Sequence, residues 1–172
     1  MRTILTFTSK KGKLVYSIGM RKLIGPIKTT AKGLGFMVDP KNPDQDIRLE
    51  EGSLNTALNG DTVEIEIGKD SSKVLSVISR AKTKFVGTIT LEDNLAIVIP
   101  DDKKCYTKFN IPLKHLGDAK KGDKVQISLA EWNDPKTLPQ AEVIRVIGKK
   151  GQNDAEMESI VLEKGFDTRF PP

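Results

Sequence analysis

Apolar and polar residues alternate at period two along several short stretches of this 172-residue chain, the pattern of strands buried on one face. Val63-Glu64-Ile65-Glu66-Ile67 and Val125-Gln126-Ile127-Ser128-Leu129 show it most clearly. Phe85 to Leu91 and Leu95 to Ile99 read as two further strands, joined by a turn at Glu92-Asp93-Asn94. Pro40, Pro100 and Pro112 stand where strands close, since a missing backbone donor does least harm there. The ends of the chain follow other patterns. Thr3 to Ser9 and Leu14 to Ile18 predict a hairpin around Lys10-Lys11-Gly12-Lys13. Asp154 is placed to cap a short helix running through Glu163, with Met157, Ile160 and Val161 at helical spacing and Gly165 just beyond its end. Phe166 to Pro172 has the composition of a linker, and the expectation is a chain cut from something longer.

The strands recur. Gly60-Asp61-Thr62-Val63-Glu64-Ile65 matches Gly122-Asp123-Lys124-Val125-Gln126-Ile127 at an offset of 62, which also pairs Gly25 with Gly87, Leu49 with Ile111, Leu54 with Leu116 and Ala57 with Ala119. Lys73 to Ile78 matches Glu142 to Ile147 at an offset of 69, so the second copy holds a longer loop over Glu131 to Pro139. A colinear series with insertions only at loops indicates two copies of one unit. About five short strands in each unit imply a small closed barrel, because closure removes exposed edges. The predicted fold is all-β, with two tandem five-stranded OB-like barrels, an N-terminal hairpin and a short C-terminal helix. The units divide as a basic leading segment 1–21, a first barrel 22–83, a second barrel 84–150 and a helical tail 151–172.

Charge refines the picture more than composition does. With 37% hydrophobic and 30% charged residues, no apolar run approaches bilayer length, and no partner membrane is expected. The first residues lack a signal-peptide pattern, and the single Cys105 excludes an internal disulfide framework, so the expected compartment is the cytoplasm. The net charge of +5 is unevenly spread: residues 1–38 hold eight basic residues and no acid, and the remainder is net −3. A one-sign segment of this kind attracts polyanions.

The chemistry concentrates in Lys32-Gly33-Leu34-Gly35-Phe36-Met37-Val38-Asp39. On a strand, Lys32, Leu34, Phe36 and Val38 share a face, and the glycines would bare the backbone so that a base could lie on Phe36. This stretch, with an Asp-Pro turn and Asp46-Ile47-Arg48-Leu49, resembles the RNA-binding strands of the cold-shock domain family. The paired arrangement is similar to the tandem cold-shock domains that precede the catalytic domain in bacterial ribonuclease R and its ribonuclease II relatives. Ala81 to Thr88, Trp132 to Pro135 and the tail from Asp154 to Phe170 extend the likeness. It implies a module that feeds single-stranded RNA to a 3′-to-5′ exoribonuclease whose magnesium-binding catalytic domain lies elsewhere. No cofactor is expected in this chain, and Asp101-Asp102 reads as a turn pair. The expected RNA contacts are Lys28, Lys32, Leu34, Phe36 and Arg48 in the first unit, and Lys103, Lys104 and Lys108 in the second. Where the family usually has aromatics, this chain has Leu34, Arg48 and Asn110; the Arg48 guanidinium can itself stack on a base.

Other residues carry less. Phe109 alternates with Ile111 and is expected in the core. Lys114, Lys120, Lys121 and Lys124 extend a possible phosphate track or form a solvated face. Trp132 suits base stacking and domain packing equally. His115 and Cys105 are too isolated for a metal site or a nucleophile–base pair. The functional expectation is RNA binding without catalysis; the alternative is a protein-docking module with little affinity for RNA.

Overall fold

The computed structural model describes residues 20–93 and 95–166. The hairpin expected over residues 3–18 lies outside the described residues. The first barrel comprises β1 (Arg21–Pro26), β2 (Lys28–Thr29), β3 (Gly35–Asp39), β4 (Asn42–Leu49), β5 (Thr62–Ile67) and β6 (Ser72–Ser79). They form two sheets, β1-β5-β6 and β2-β3-β4. β1 and β2 are a single OB strand broken at Ile27, and the break lets one strand serve both sheets. Ile27 spends its backbone on the turn instead, its amide donating to Asp61 O at 2.9 Å and its carbonyl accepting from Gly60 N at 2.8 Å.

The second barrel comprises β7 (Lys84–Glu92), β8 (Leu95–Pro100), β9 (Phe109–Ile111), β10 (Asp123–Leu129) and β11 (Ala141–Lys149), in the order β11-β10-β7-β8-β9. A parallel bridge between Asn110 and Gln140 links β9 towards β11, with the Asn110 amide donating to Pro139 O at 2.9 Å. In the first barrel the Val74 amide donates to Ser53 O at 2.8 Å across the corresponding gap. The fold is therefore two tandem OB barrels followed by a helix, as the alternation and the repeat predict.

The repeat extends to individual hydrogen bonds. Gly60 N donates to Ile27 O at 2.8 Å, and 62 residues on, Gly122 N donates to Ile89 O at 2.9 Å. Asp61 Oδ2 accepts from Leu58 N at 2.9 Å, and Asp123 Oδ2 accepts from Lys120 N at 2.8 Å. Gly60 and Gly122 sit at φ +89° and +85°, a region that only glycine enters freely. The repeated Gly-Asp thus encodes one turn: the glycine permits the backbone and the aspartate closes it. Bulges follow suit, at Thr62/Val63 and Glu64/Ile65 in one copy and at Lys124/Val125 and Gln126/Ile127 in the other.

Inward residues of alternating strands fill two cores. Ile27, Met37, Leu49, Leu54, Val63 and Ile65 anchor the first; Phe85, Ile89, Val98, Phe109, Ile111 and Ile127 anchor the second. Phe109 is fully buried with its ring centroid 4.8 Å from that of Phe85, as expected of a core residue. The barrels are joined by more than the connecting chain. Tyr106 packs against both cores, and its hydroxyl donates to Ala57 O at 2.8 Å. Thr29 Oγ1 donates to Lys104 O at 2.8 Å, and Leu58 belongs to the second core. Trp132 is buried at this seam, with the Arg80 guanidinium 6.0 Å from its ring centroid, so domain packing accounts for it.

The helix α1 (Asn153–Glu163) departs from expectation at its start and in its orientation. Gln152, not Asp154, is the N-cap residue, and Gly151 N donates to Glu156 Oε1 at 2.9 Å. Its C-terminus matches the sequence reading, because Gly165 N bonds Leu162 O and Phe166 N bonds Val161 O in a Schellman pair. The apolar residues Met157, Ile160 and Val161 face outward, while Ala155, Ser159 and Leu162 are buried. The reason is electrostatic. Glu156, Glu158 and Glu163 reach Lys124, Arg145 and Lys82 on the barrel beneath, and small inner residues let the helix come close enough for these pairs. Among the described residues no helix is long and apolar enough to cross a membrane.

Candidate nucleic-acid interface

Sheet register brings three of the expected RNA contacts into one row. Lys28 on β2 pairs with Phe36 on β3, and Phe36 pairs with Arg48 on β4. Directly paired residues in a sheet point to the same face. That face is the outer one, because Gly35, Met37 and Leu49 between them are buried while Lys28 and Arg48 are exposed and Phe36 is half-exposed. The aromatic ring is thus flanked by two cations on an open sheet surface.

Two details of the expected site change. Gly35 does not bare the surface beside Phe36; it faces the core. A Cβ there would lie 2.5 Å from Leu54 Cδ2 and 2.9 Å from Ile27 Cδ1, so the glycine exists to let two apolar side chains close over the strand. Lys32 is not on the strand either, since β3 begins at Gly35. It tips a turn in which Thr30 N donates to Leu34 O at 3.0 Å and Gly33 takes φ +72°. The exposed Lys32 side chain remains at the end of the Phe36 strand, and Leu34 is half-buried between them.

The second barrel adds cations through the interdomain joint. Because Thr29 bonds Lys104 O, the Lys103-Lys104 corner lies against β2, one residue from Lys28. Lys103 and Lys104 are exposed, and the Lys104 amide is fixed by Asp102 Oδ1 at 2.8 Å. Among the described residues, Lys28, Lys32, Lys103 and Lys104 have no carboxylate within 4.0 Å of the side-chain nitrogen. Lys108 differs, its ammonium lying 2.8 and 3.0 Å from the two oxygens of Glu92. Arg48 is paired with Glu50 at 3.0 Å, but both side chains are more than half exposed, where such pairs contribute little and exchange readily. Lys124 leaves any phosphate track: its side chain is 6% exposed and held by Asp101 and Glu156. The backbone of Asn110 closes the barrel seam, while its side chain, between the buried Phe109 and Ile111, turns outward without offering a ring.

Of the joint, the sequence offers Trp132, whose place in the longer loop suits domain packing as well as base stacking. Tyr106 holds the loop that carries the Lys103-Lys104 corner, and Arg80 packs on Trp132; Tyr106 belongs to no repeated or periodic pattern. Its one hint is that it interrupts a polar loop. Among the described residues no group of three His, Cys, Asp or Glu side chains is arranged to hold a metal ion.

Comparison with known proteins agrees with this architecture. Residues 25–76 match the Ribonuclease B OB domain and residues 97–171 match the Cold shock domain. Ribonuclease R from Ureaplasma parvum is 27% identical over 169 residues, covering 94% of this chain and 23% of that protein. The solved structure of Mycoplasma genitalium ribonuclease R in complex with ribose-methylated single-stranded RNA superposes with a TM-score of 0.74 at 17% identity, covering 87% of this chain and 25% of that one. Yeast Ssd1, described as a pseudonuclease, gives 0.73 at 18% identity, covering 85% and 25%. The chain spans between 20% and 39% of the length of the curated ribonuclease R relatives that it matches over most of its own length. The two domain models follow one another along the chain, one on each barrel, so the protein is a tandem pair of OB domains similar to the OB-domain region of ribonuclease R.

Proposed function

We propose that this chain binds single-stranded RNA through the outer face of its first barrel and contributes no catalysis of its own, as the RNA-handling region of a ribonuclease R-like protein. The observation that carries this reading is the Lys28–Phe36–Arg48 row, an aromatic platform between two cations on an open sheet. A base stacks on Phe36, Lys28, Lys103 and Lys104 hold the phosphates, and Lys32 and Leu34 line the strand's approach. Arg48 exchanges Glu50 for nucleic acid. Stacking on one ring contributes roughly 1–3 kcal/mol per base. Lys108 joins only after giving up Glu92, which ranks it last.

Fluorescence anisotropy with an RNA of about 12–16 nucleotides, within the span of one or two OB folds, tests the proposal. Binding is expected in the micromolar range, weakening as salt rises because counterions are released, and unchanged by EDTA since no metal is needed. Phe36→Ala should weaken it by roughly fivefold to a hundredfold, the equivalent of one lost stack. Lys28→Gln should reduce the slope of log affinity against log salt by about 0.7. Absence of salt-sensitive binding would remove the reading. A second reading, protein docking with little RNA affinity, draws on the outward apolar face of α1. It predicts a protein partner whose capture is indifferent to RNA and to Phe36→Ala.

A further inference from the structure

The binding face is electrically lopsided across its three strands. On the β2 side stand Lys28 and, through the joint, Lys103 and Lys104. On the β4 side the outward residues are Asp44, Asp46 and Arg48, with Glu50 following and already paired to Arg48. A phosphodiester backbone is drawn to the first side and repelled from the second. A nucleotide stacked on Phe36 therefore lies with its sugar and phosphate towards β2 and its base edge towards β4.

The base edge then meets Asp46. This residue pairs with Val38, one row along from the Phe36–Arg48 pair, and alternates with Ile47 and Leu49, which turn inward. Phe36 and Asp46 are diagonal neighbours on one face, about 7–8 Å apart, a gap that a base lying on the ring spans with its edge. Asp46 is exposed, and its carboxylate takes no hydrogen bond or ion pair from the described residues. An ionised carboxylate is acceptor-only. It pairs with the amino group of cytosine and is repelled by the carbonyl oxygen that uracil carries in its place.

We propose that Asp46 is a specificity-determining residue that reads an exocyclic amino group on the base stacked at Phe36, so that the module prefers cytosine to uracil. This rests on the RNA-binding reading above. Cytosine and uracil are the discriminating pair because both are pyrimidines of one size, and they differ at the position where the carboxylate acts.

The test is anisotropy of the whole chain with oligo(C) and oligo(U) of equal length, for the unaltered protein and for Asp46→Ala and Asp46→Asn. The unaltered protein should bind oligo(C) roughly fivefold more tightly, the low end of what one base contact contributes. Both variants should bind the two oligomers equally, with oligo(U) affinity unchanged or raised, since a charge repelling phosphate is gone. Equal binding by the unaltered protein overturns the assignment of Asp46 while leaving RNA binding intact. A preference that survives Asp46→Ala overturns it too, since something else then reads the base. Failure to bind either oligomer removes the RNA-binding reading and this inference with it. Asp46 is exposed, so a loss of fold in both variants is not expected, and circular dichroism checks that.

Discussion

Asp61 is fully buried and takes three donors on its two carboxylate oxygens: Leu58 N, Ala81 N and the Arg80 guanidinium. Removing it leaves a mostly buried cation and two amides without acceptors. Asp61→Ala should therefore cost about 3–5 kcal/mol, read as a fall in the urea midpoint. The equivalent Asp123→Ala should cost less, because its cation, Lys149, is 56% exposed and can turn to water. Asp39 makes the matching case at the surface. The Arg21 guanidinium, then the Lys41 amide, hold its carboxyl down at about 2. A depressed folded-state value stabilises above the unfolded value near 4 and is lost as pH falls through about 2. The difference in melting temperature between the unaltered protein and Asp39→Asn should accordingly narrow across that window. Asp61 and Asp123 were visible in the sequence because a repeated turn needs a repeated acceptor. Gly35 was visible too, but its reason was not. A missing side chain looks the same whether it bares a surface or admits a core, and only Leu54 and Ile27 closing over it decide which.

Among the elements, the strands were legible because their two faces meet different surroundings, apolar within and water without. The broken first strand was not, since Ile27 continues the alternation while its backbone turns to Asp61 and Gly60. α1 reversed the usual inference. Its apolar stripe announced a helix, but the surface beneath it is cationic, so acidic and small residues face inward. Helical spacing gives the existence of a stripe and not the character of what lies opposite. The close approach has a weak point at Gly148, where a Cβ would come 2.8 Å from Ala155 Cβ. Gly148→Val should lift the helix from the barrel, seen as faster amide exchange across residues 153–163. Gly165→Ala, at φ +83°, should cost about 1 kcal/mol by disfavouring the helix end without disturbing the contact.

At the scale of the molecule, the outer face of one barrel and the Lys103-Lys104 corner of the other form one surface only while the joint holds. Beyond the suggestion of Trp132, the sequence does not report such a joint, because periodicity and repeat describe each unit separately and not the contacts between them. Thr29, Ala57 and Arg80 belong to one unit, and Lys104, Tyr106 and Trp132 to the other. Cys105 offers a probe of it. Burial pushes its thiol up to about 11, so alkylation at pH 8 should be slow. Tyr106→Phe removes the hydroxyl bond to Ala57 O, a loss of about 1–3 kcal/mol. It should quicken alkylation and weaken RNA binding without altering the spectrum of either barrel. Unchanged alkylation would mean that the barrels stay together without that bond.

The joint also has a direction. The loop that grips the first barrel, Lys104 to Thr107, corresponds at the offset of 62 to Asn42 to Gln45, which in the first unit is the start of β4. One copy keeps this segment as sheet; the other has released it to hold its neighbour. Duplicated units usually remain interchangeable, and arrays of them grow by adding more. Here the copies have become complementary, like a clasp and an eye. A third copy placed ahead of the first would find its successor's clasp already woven into a sheet, so this mode of joining ends at a pair.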